Sequence, residues 1–161
     1  MNTQALQRAD FAAIANWIMP GARVLDLGCG DGALLRFLAE QREAIGYGVE
    51  IDDDGVLACV KNGVNVVQAN MERGLSAFAD GSFDYVILSQ TLQAVRSSEQ
   101  VVREMLRVGR QGIVTFPNFG YWRNRLHVLR GSMPVSDNLP YAWFDTPNIH
   151  LCTITDFENF C

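Results

Sequence analysis

Residues Val24 to Gly32, reading Val-Leu-Asp-Leu-Gly-Cys-Gly-Asp-Gly, have the types and spacing to hold a ligand. An apolar run contains an acid, Asp26, and three glycines then alternate with other residues before a helical pattern starts. This pattern reads as a strand entering a tight turn, where bare backbone lets a ligand lie against a helix N-terminus. Glu50 closes the next apolar run, in reach of a ribose at the end of a second strand. Together these residues predict a nucleoside cofactor.

The glycines alone do not choose which one. Gly28, Gly30 and Ala33 also satisfy the looser dinucleotide pattern, and Glu50 would serve the ribose of NAD equally well. Charge separates the two. A dinucleotide would bring a doubly negative pyrophosphate to Asp26 and Asp31, with no Lys or Arg between Arg42 and Lys61 to compensate. S-adenosylmethionine (SAM) carries a sulfonium and an ammonium against one carboxylate, so SAM, or its demethylated product S-adenosylhomocysteine (SAH), is the expected cofactor. On this reading Asp26 attracts the ammonium, and backbone N–H groups around Gly28, Cys29 and Gly30 receive the carboxylate. Glu50 accepts from both ribose hydroxyls and Ile51 packs on the adenine face. Asn70 and Met71 take the adenine edge, while Ser89 and Gln90 face the methionine end and any methyl acceptor.

Those residues need rigid elements behind them. Residues 3–18 carry Leu6, Ala9, Ile14 and Trp17 or Ile18 at helical spacing, stopped by Pro20-Gly21. Strands are expected over 22–27, 45–51, 64–68, 83–89 and 112–116. Between them run helical patterns over 33–41, from Asp52–Asp54 to Lys61, and from Ser97 or Ser98 with Val101, Val102, Met105, Leu106 and Val108 inward. Strands alternating with helices, and apolar on both faces, predict a parallel sheet covered on both sides, in the order 3-2-1-4-5. Residues 118–130 read as a further helix, 131–149 as a loop rich in aromatics and prolines, and Thr155-x-x-Glu158 as a capping box opening a last helix.

Length and composition bound the rest. The 161 residues fit a single domain, and 48% hydrophobic with 19% charged is ordinary for a globular protein. A net charge of −5 argues against general nucleic-acid binding. No apolar stretch approaches the roughly 20 residues of a membrane span. With no signal-peptide pattern at the start, a cytoplasmic location is expected. Cys29, Cys59, Cys152 and Cys161 make no C-x-x-C pair, so neither a metal site nor a disulfide framework is expected.

Asp26-Leu-Gly-Cys-Gly-Asp-Gly, Gly48-Val-Glu50 and Phe83-Asp-Tyr-Val-Ile-Leu resemble motifs of class I SAM-dependent methyltransferases. The segments Ile87–Gln93, Phe116–Arg123 and Trp143–Thr153 are more specific, and resemble the MetW family of methionine biosynthesis across essentially the whole chain. The resemblance implies a Rossmann-like class I methyltransferase fold in a bacterial protein that supports or regulates a homoserine O-acyltransferase of the MetX type. It brings no defined methyl acceptor. Two departures stand out. Asn70 occupies a position that is often Asp in the superfamily. The sixth and seventh strands of the fold are absent from this chain, so a C-terminally incomplete domain is expected, with strand five left as an apolar edge.

Residues able to catalyse methyl transfer are few. His127 lies among Arg123, Arg125 and Arg130, where a surface histidine is the plain reading, whereas His150 falls in the aromatic loop near where an acceptor would lie. Tyr121, Trp122, Tyr141, Trp143 and Phe144 fit a pocket lid, a core or a docking surface for another protein. The alternative to a supporting role is an active methyltransferase on a small molecule, with an acceptor pocket built by Ser89, Gln90, Tyr121 and His150.

Overall fold

The computed structural model describes residues 3–136 and 139–161, and side chains from Asp10 onward, so that Leu6 and Ala9 lie outside the described side chains. Five apolar runs form β1 (Arg23–Leu27), β2 (Ile45–Glu50), β3 (Asn65–Gln68), β4 (Phe83–Ser89) and β5 (Gly109–Thr115). They make one all-parallel sheet in the order β3-β2-β1-β4-β5, as expected from the sequence. Among the described residues six α-helices accompany it: α1 (Thr3–Trp17), α2 (Ala33–Arg42), α3 (Asp53–Lys61), α4 (Ser98–Val108), α5 (Trp122–Leu129) and α6 (Ile154–Phe160).

Strand alternation sorts the core into two layers. Val24, Tyr85, Ile87 and Ile113 face Ile14 and Ile18 of the first helical segment, Leu34, Leu35 and Leu38 of α2, and Cys59 of α3. Leu25, Leu27, Val86 and Leu88 face the other way, onto Val101, Met105 and Val108 of α4, with Phe157 of α6 at the margin. Fully burying such side chains stabilises the fold by roughly 1.5–3 kcal/mol each. Strand order reverses between β1 and β4, and the crevice outside the carboxyl ends of strands at such a reversal is where open α/β sheets bind ligands.

Three local expectations shift. The last helix starts earlier than Thr155: Thr153 accepts from the Asp156 amide at 3.2 Å, and Asp156 accepts from the Thr153 amide at 2.9 Å. Leu106 is 59% exposed rather than inward, because α4 directs Val101, Met105 and Val108 at the sheet. The helical reading of 118–130 holds only from Trp122. Asn118 instead accepts from the Gly120 amide and its carbonyl takes the Asn124 side-chain amide, forming a turn ahead of α5.

Two acids brace α4 against the segment that follows β3. Glu72 Oε1 accepts from the Arg96 and Ser97 amides, at 2.6 and 2.9 Å, tying the turn after β3 to the start of α4. Ser97 makes no cap of its own, so this carboxylate holds the chain entering the helix. Glu104 accepts from the Leu75 amide and pairs with Arg107, whose guanidinium also reaches the carbonyls of Leu75 and Phe78.

One glycine under the crevice is required by space. Gly48 lies opposite Asp26 in the sheet, and a Cβ there would collide with Cys29 Sγ. Gly48→Ala is therefore expected to cost about 1–3 kcal/mol by overpacking. Removing the obstructing sulfur in Gly48→Ala/Cys29→Ala should recover part of that loss. Urea unfolding of the two variants, the Cys29→Ala single variant and the wild type measures the coupling, and strictly additive losses would refute this account.

Candidate ligand site at the glycine turn

The turn predicted between Leu27 and Ala33 sits at the end of β1. Gly28, Gly30 and Gly32 all adopt positive φ, which L side chains rarely accept. At Gly28 an added Cβ would lie 2.8 Å from Thr91 Cγ2 and 3.3 Å from Met71 Cε. At Gly30 it would meet nothing within 4 Å, so the backbone there faces open space.

Glu50 organises this turn. Its carboxylate is 8% exposed, with Oε2 accepting from the Gly30 amide at 2.8 Å and Oε1 from the Ile51 and Asp52 amides at 2.7 and 3.0 Å. A carboxylate offers about four lone-pair positions, so acceptor capacity remains after these three bonds. The Gly28 amide donates to Val49 O at 2.8 Å, as does that of Cys29 at 3.2 Å. The amides of Gly28, Cys29 and Gly30 are thus engaged within the protein, and are not the free donors the sequence suggests for a carboxylate.

Asp26 is the anomaly. It is 2% exposed in the middle of the sheet, and its Oδ1 is buried without a hydrogen-bond partner among the described residues. Burial first, and then the neighbouring Glu50 charge, push its pKa from the ordinary 3.8 up to about 7. A carboxyl group in this state gains from a donor, and gains most from a cationic one. Beside it, Cys29 and Cys59 are both buried with their sulfurs 3.6 Å apart, and Cys59 donates to Gly30 O at 3.1 Å. Burial and the Asp26 charge hold the Cys29 thiol far above its usual range, so it packs rather than reacts.

The other predicted residues divide. Met71 comes against Gly28, and Ile51 is 59% exposed at the mouth, free to pack on a flat ring. Asn70 Oδ1 caps the single turn Met71–Arg73 by accepting from the Glu72 amide at 2.9 Å. Ser89 and Gln90 turn toward β5: Ser89 Oγ lies 3.2 Å from Thr115 Oγ1, and the Gln90 amide donates to Thr115 O at 3.0 Å. Gln90 itself adopts φ +53°. Thr91, which no sequence motif marks, stands against Gly28 with its hydroxyl donating to Ser89 O at 2.9 Å. Only the return of the chain across β4 places it there.

His150 is exposed and does not join the turn. Its amide donates to the Gln93 carbonyl at 3.0 Å, as does that of Ile149 at 2.7 Å. It lines a cavity of about 600 Å³ with Leu92, Gln93, Phe116, Phe157 and Phe160, and none of the turn residues belongs to that lining. Among the described residues no group of three or more His, Cys, Asp or Glu side chains could hold a metal ion. No helix among them is long and apolar enough to cross a membrane.

The family model described as methionine biosynthesis protein MetW matches residues 8–161. The chain is 40% identical, over 93% of its length, to a Rhodopirellula baltica protein described as bifunctional methionine biosynthesis protein MetXA/MetW, and it spans 26% of that protein. Its fold is similar to a chain from the Haloferax volcanii complex of the Trm112 methyltransferase activator with a methyltransferase. That match has a TM-score of 0.70 at 15% identity, covering 93% of this chain and 65% of that one. A SAM-dependent methyltransferase from Thermotoga maritima follows with a TM-score of 0.67 at 20% identity, covering 93% and 66%.

The Asp26 environment gives a stability prediction with a defined sign. The unfolded chain releases the Asp26 proton near 3.8 and the folded chain near 7, so between these values folding takes up a proton and stability falls as pH rises. Asp26→Asn removes this penalty. Without ligand, the variant's advantage over the wild type should be smaller at pH 5, vanish only below about pH 4, and reach on the order of a few kcal/mol at pH 8. Urea unfolding at the two pH values tests this, and an equal offset at both would show that Asp26 does not carry the titration.

Proposed function

Because the chain belongs to the MetW family of methionine biosynthesis proteins, we propose that it binds SAM or SAH at the glycine turn and supports or regulates a MetX-type homoserine O-acyltransferase. The buried, unpartnered Asp26 carboxyl carries the cofactor reading. An ammonium held directly or through one ordered water would satisfy it and return its pKa toward the ordinary range. Glu50 has acceptor capacity left for ribose hydroxyls, Ile51 offers an apolar face for adenine, and the turn Gly28-Cys29-Gly30 lies beneath the ligand, with the Gly30 backbone facing open space. Asn70, Met71, Ser89 and Gln90 complete the site, with Thr91 added from its contact with Gly28.

When bound, SAM supplies an electrophilic methyl group. This chain's residues bind and orient it, and exclude a diphosphate through Asp26 and Asp31. The acyltransferase partnership draws on the Rhodopirellula relative, whose description joins MetXA and MetW in one protein. A second reading, methyl transfer to a small acceptor, draws on the cavity lined by His150. It is the weaker one: His150 is exposed and that cavity's lining contains none of the turn residues.

Thermal shift separates the cofactors, since a ligand bound only by the folded state raises the melting temperature. SAM and SAH are expected to raise it and NAD to leave it unchanged. Glu50→Ala should abolish the shift, and Asp26→Asn should weaken SAM binding about 10-fold or more at pH 8, the scale of a charge-assisted hydrogen bond. A shift by NAD alone would overturn the cofactor assignment. Acyltransferase activity measured with and without this protein tests the supporting role, and turnover of labelled SAM against a metabolite panel would favour the second reading.

A further inference from the structure

Helix α5 breaks two local rules. It has Arg123 and Arg125 in or beside its first turn and no acid there, opposing the helix dipole, and of its eight residues only Asn124 is buried. Leu129 is 81% exposed, and Trp122 projects with Arg123 stacked 5.3 Å from its ring centre. The segment from Leu139 to Leu151 adds Trp143 and Phe144, 73% and 75% exposed and packed edge to face on each other. A shallow cleft lined by Met133, Pro134, Tyr141, Trp143 and Ile149 joins this segment to the turn following α5.

Single exposed apolar residues are normal, but exposed aromatic side chains gathered about one cleft mark an interaction surface. It is also held in place. The Gln93 carbonyl takes the amides of Ile149 and His150, and the Cys152 carbonyl takes that of Phe119 at 3.0 Å. From residue 119 to 136 the chain carries Arg123, Arg125 and Arg130 and no Asp or Glu, although the whole protein has a net charge of −5. Trp and Arg are among the residues that dominate binding hot spots. The complementary partner is a folded protein with an apolar depression rimmed by carboxylates.

We infer that α5 and the 139–151 segment form the docking face for the acyltransferase, with Trp122, Trp143 and Phe144 as anchors and the three arginines as a charged rim. This inference rests on the partnership proposed above, and goes beyond it by naming the surface. The 139–151 segment is tied to Gln93 just past β4, two residues along the chain from Thr91, which stands against Gly28.

The test is a titration of the purified acyltransferase with the full chain and its variants. Trp143→Ala/Phe144→Ala is expected to weaken the complex about 30-fold or more. Arg123→Glu/Arg125→Glu should weaken it comparably and flatten its salt dependence. Both variants should keep the thermal shift with SAM, which shows that they fold. Leu57→Glu, on the exposed side of α3, should bind like the wild type. If the wild type itself does not bind, the partnership fails. If it binds and both patch variants bind within twofold of it, the partnership stands and the assigned face is wrong. Wild-type self-association dispersed by Trp143→Ala/Phe144→Ala, or capture of RNA lost with the arginines, would likewise overturn the assignment by giving the patch another occupant.

Discussion

Two carboxyl groups share the small volume beneath the glycine turn, and their unequal treatment governs the site. Glu50 is surrounded by backbone donors that stabilise its charge. Asp26, in the next strand, has an oxygen without any partner. In a medium of low polarity a lone carboxylate is costly, so its burial beside Glu50 builds an electrostatic conflict into the fold. The surrounding choices follow from keeping that conflict in place. Glycine at 48 leaves room for the Cys29 sulfur, the two thiols pack in the space between β1, β2 and α3, and Thr91 and Met71 close over Gly28.

Much of this was legible in the residues themselves. Strand order, the helix starting at Asp53 and the tight turn at Gly28, Gly30 and Gly32 follow from hydrophobic period, capping residues and turn chemistry, all of which are local. Features that depend on which chain segments meet across the sheet were not legible. The contact of Thr91 with Gly28 is one, and the Glu72 carboxylate at the amides of residues 96 and 97 is another. The engagement of the Gly28 and Gly30 amides likewise depends on how closely β2 lies to the turn. At Thr153 the local rule itself applied, but an Asp serves three residues on where Glu is the commoner choice.

The fold and the function are separate questions, because a methyltransferase-like sheet hosts many activities and only the site decides. Here the groups beneath the glycine turn are buried and hydrogen-bonded to the backbone or packed, whereas the cavity lined by His150 lies apart from them. The aromatic residues that might have roofed an acceptor pocket are turned outward instead: Trp143 and Phe144 stack on each other rather than over the glycine turn.

The Glu72 carboxylate has a mechanical consequence. By gripping two successive amides on the far side of the crevice, it sets the gap between the post-β3 and post-β4 segments before any ligand arrives. The opening therefore behaves as a calibrated slot rather than a closing jaw. On the cofactor reading proposed above, an opening braced in this way would need little backbone rearrangement to load, leaving most of the free energy of contact as affinity.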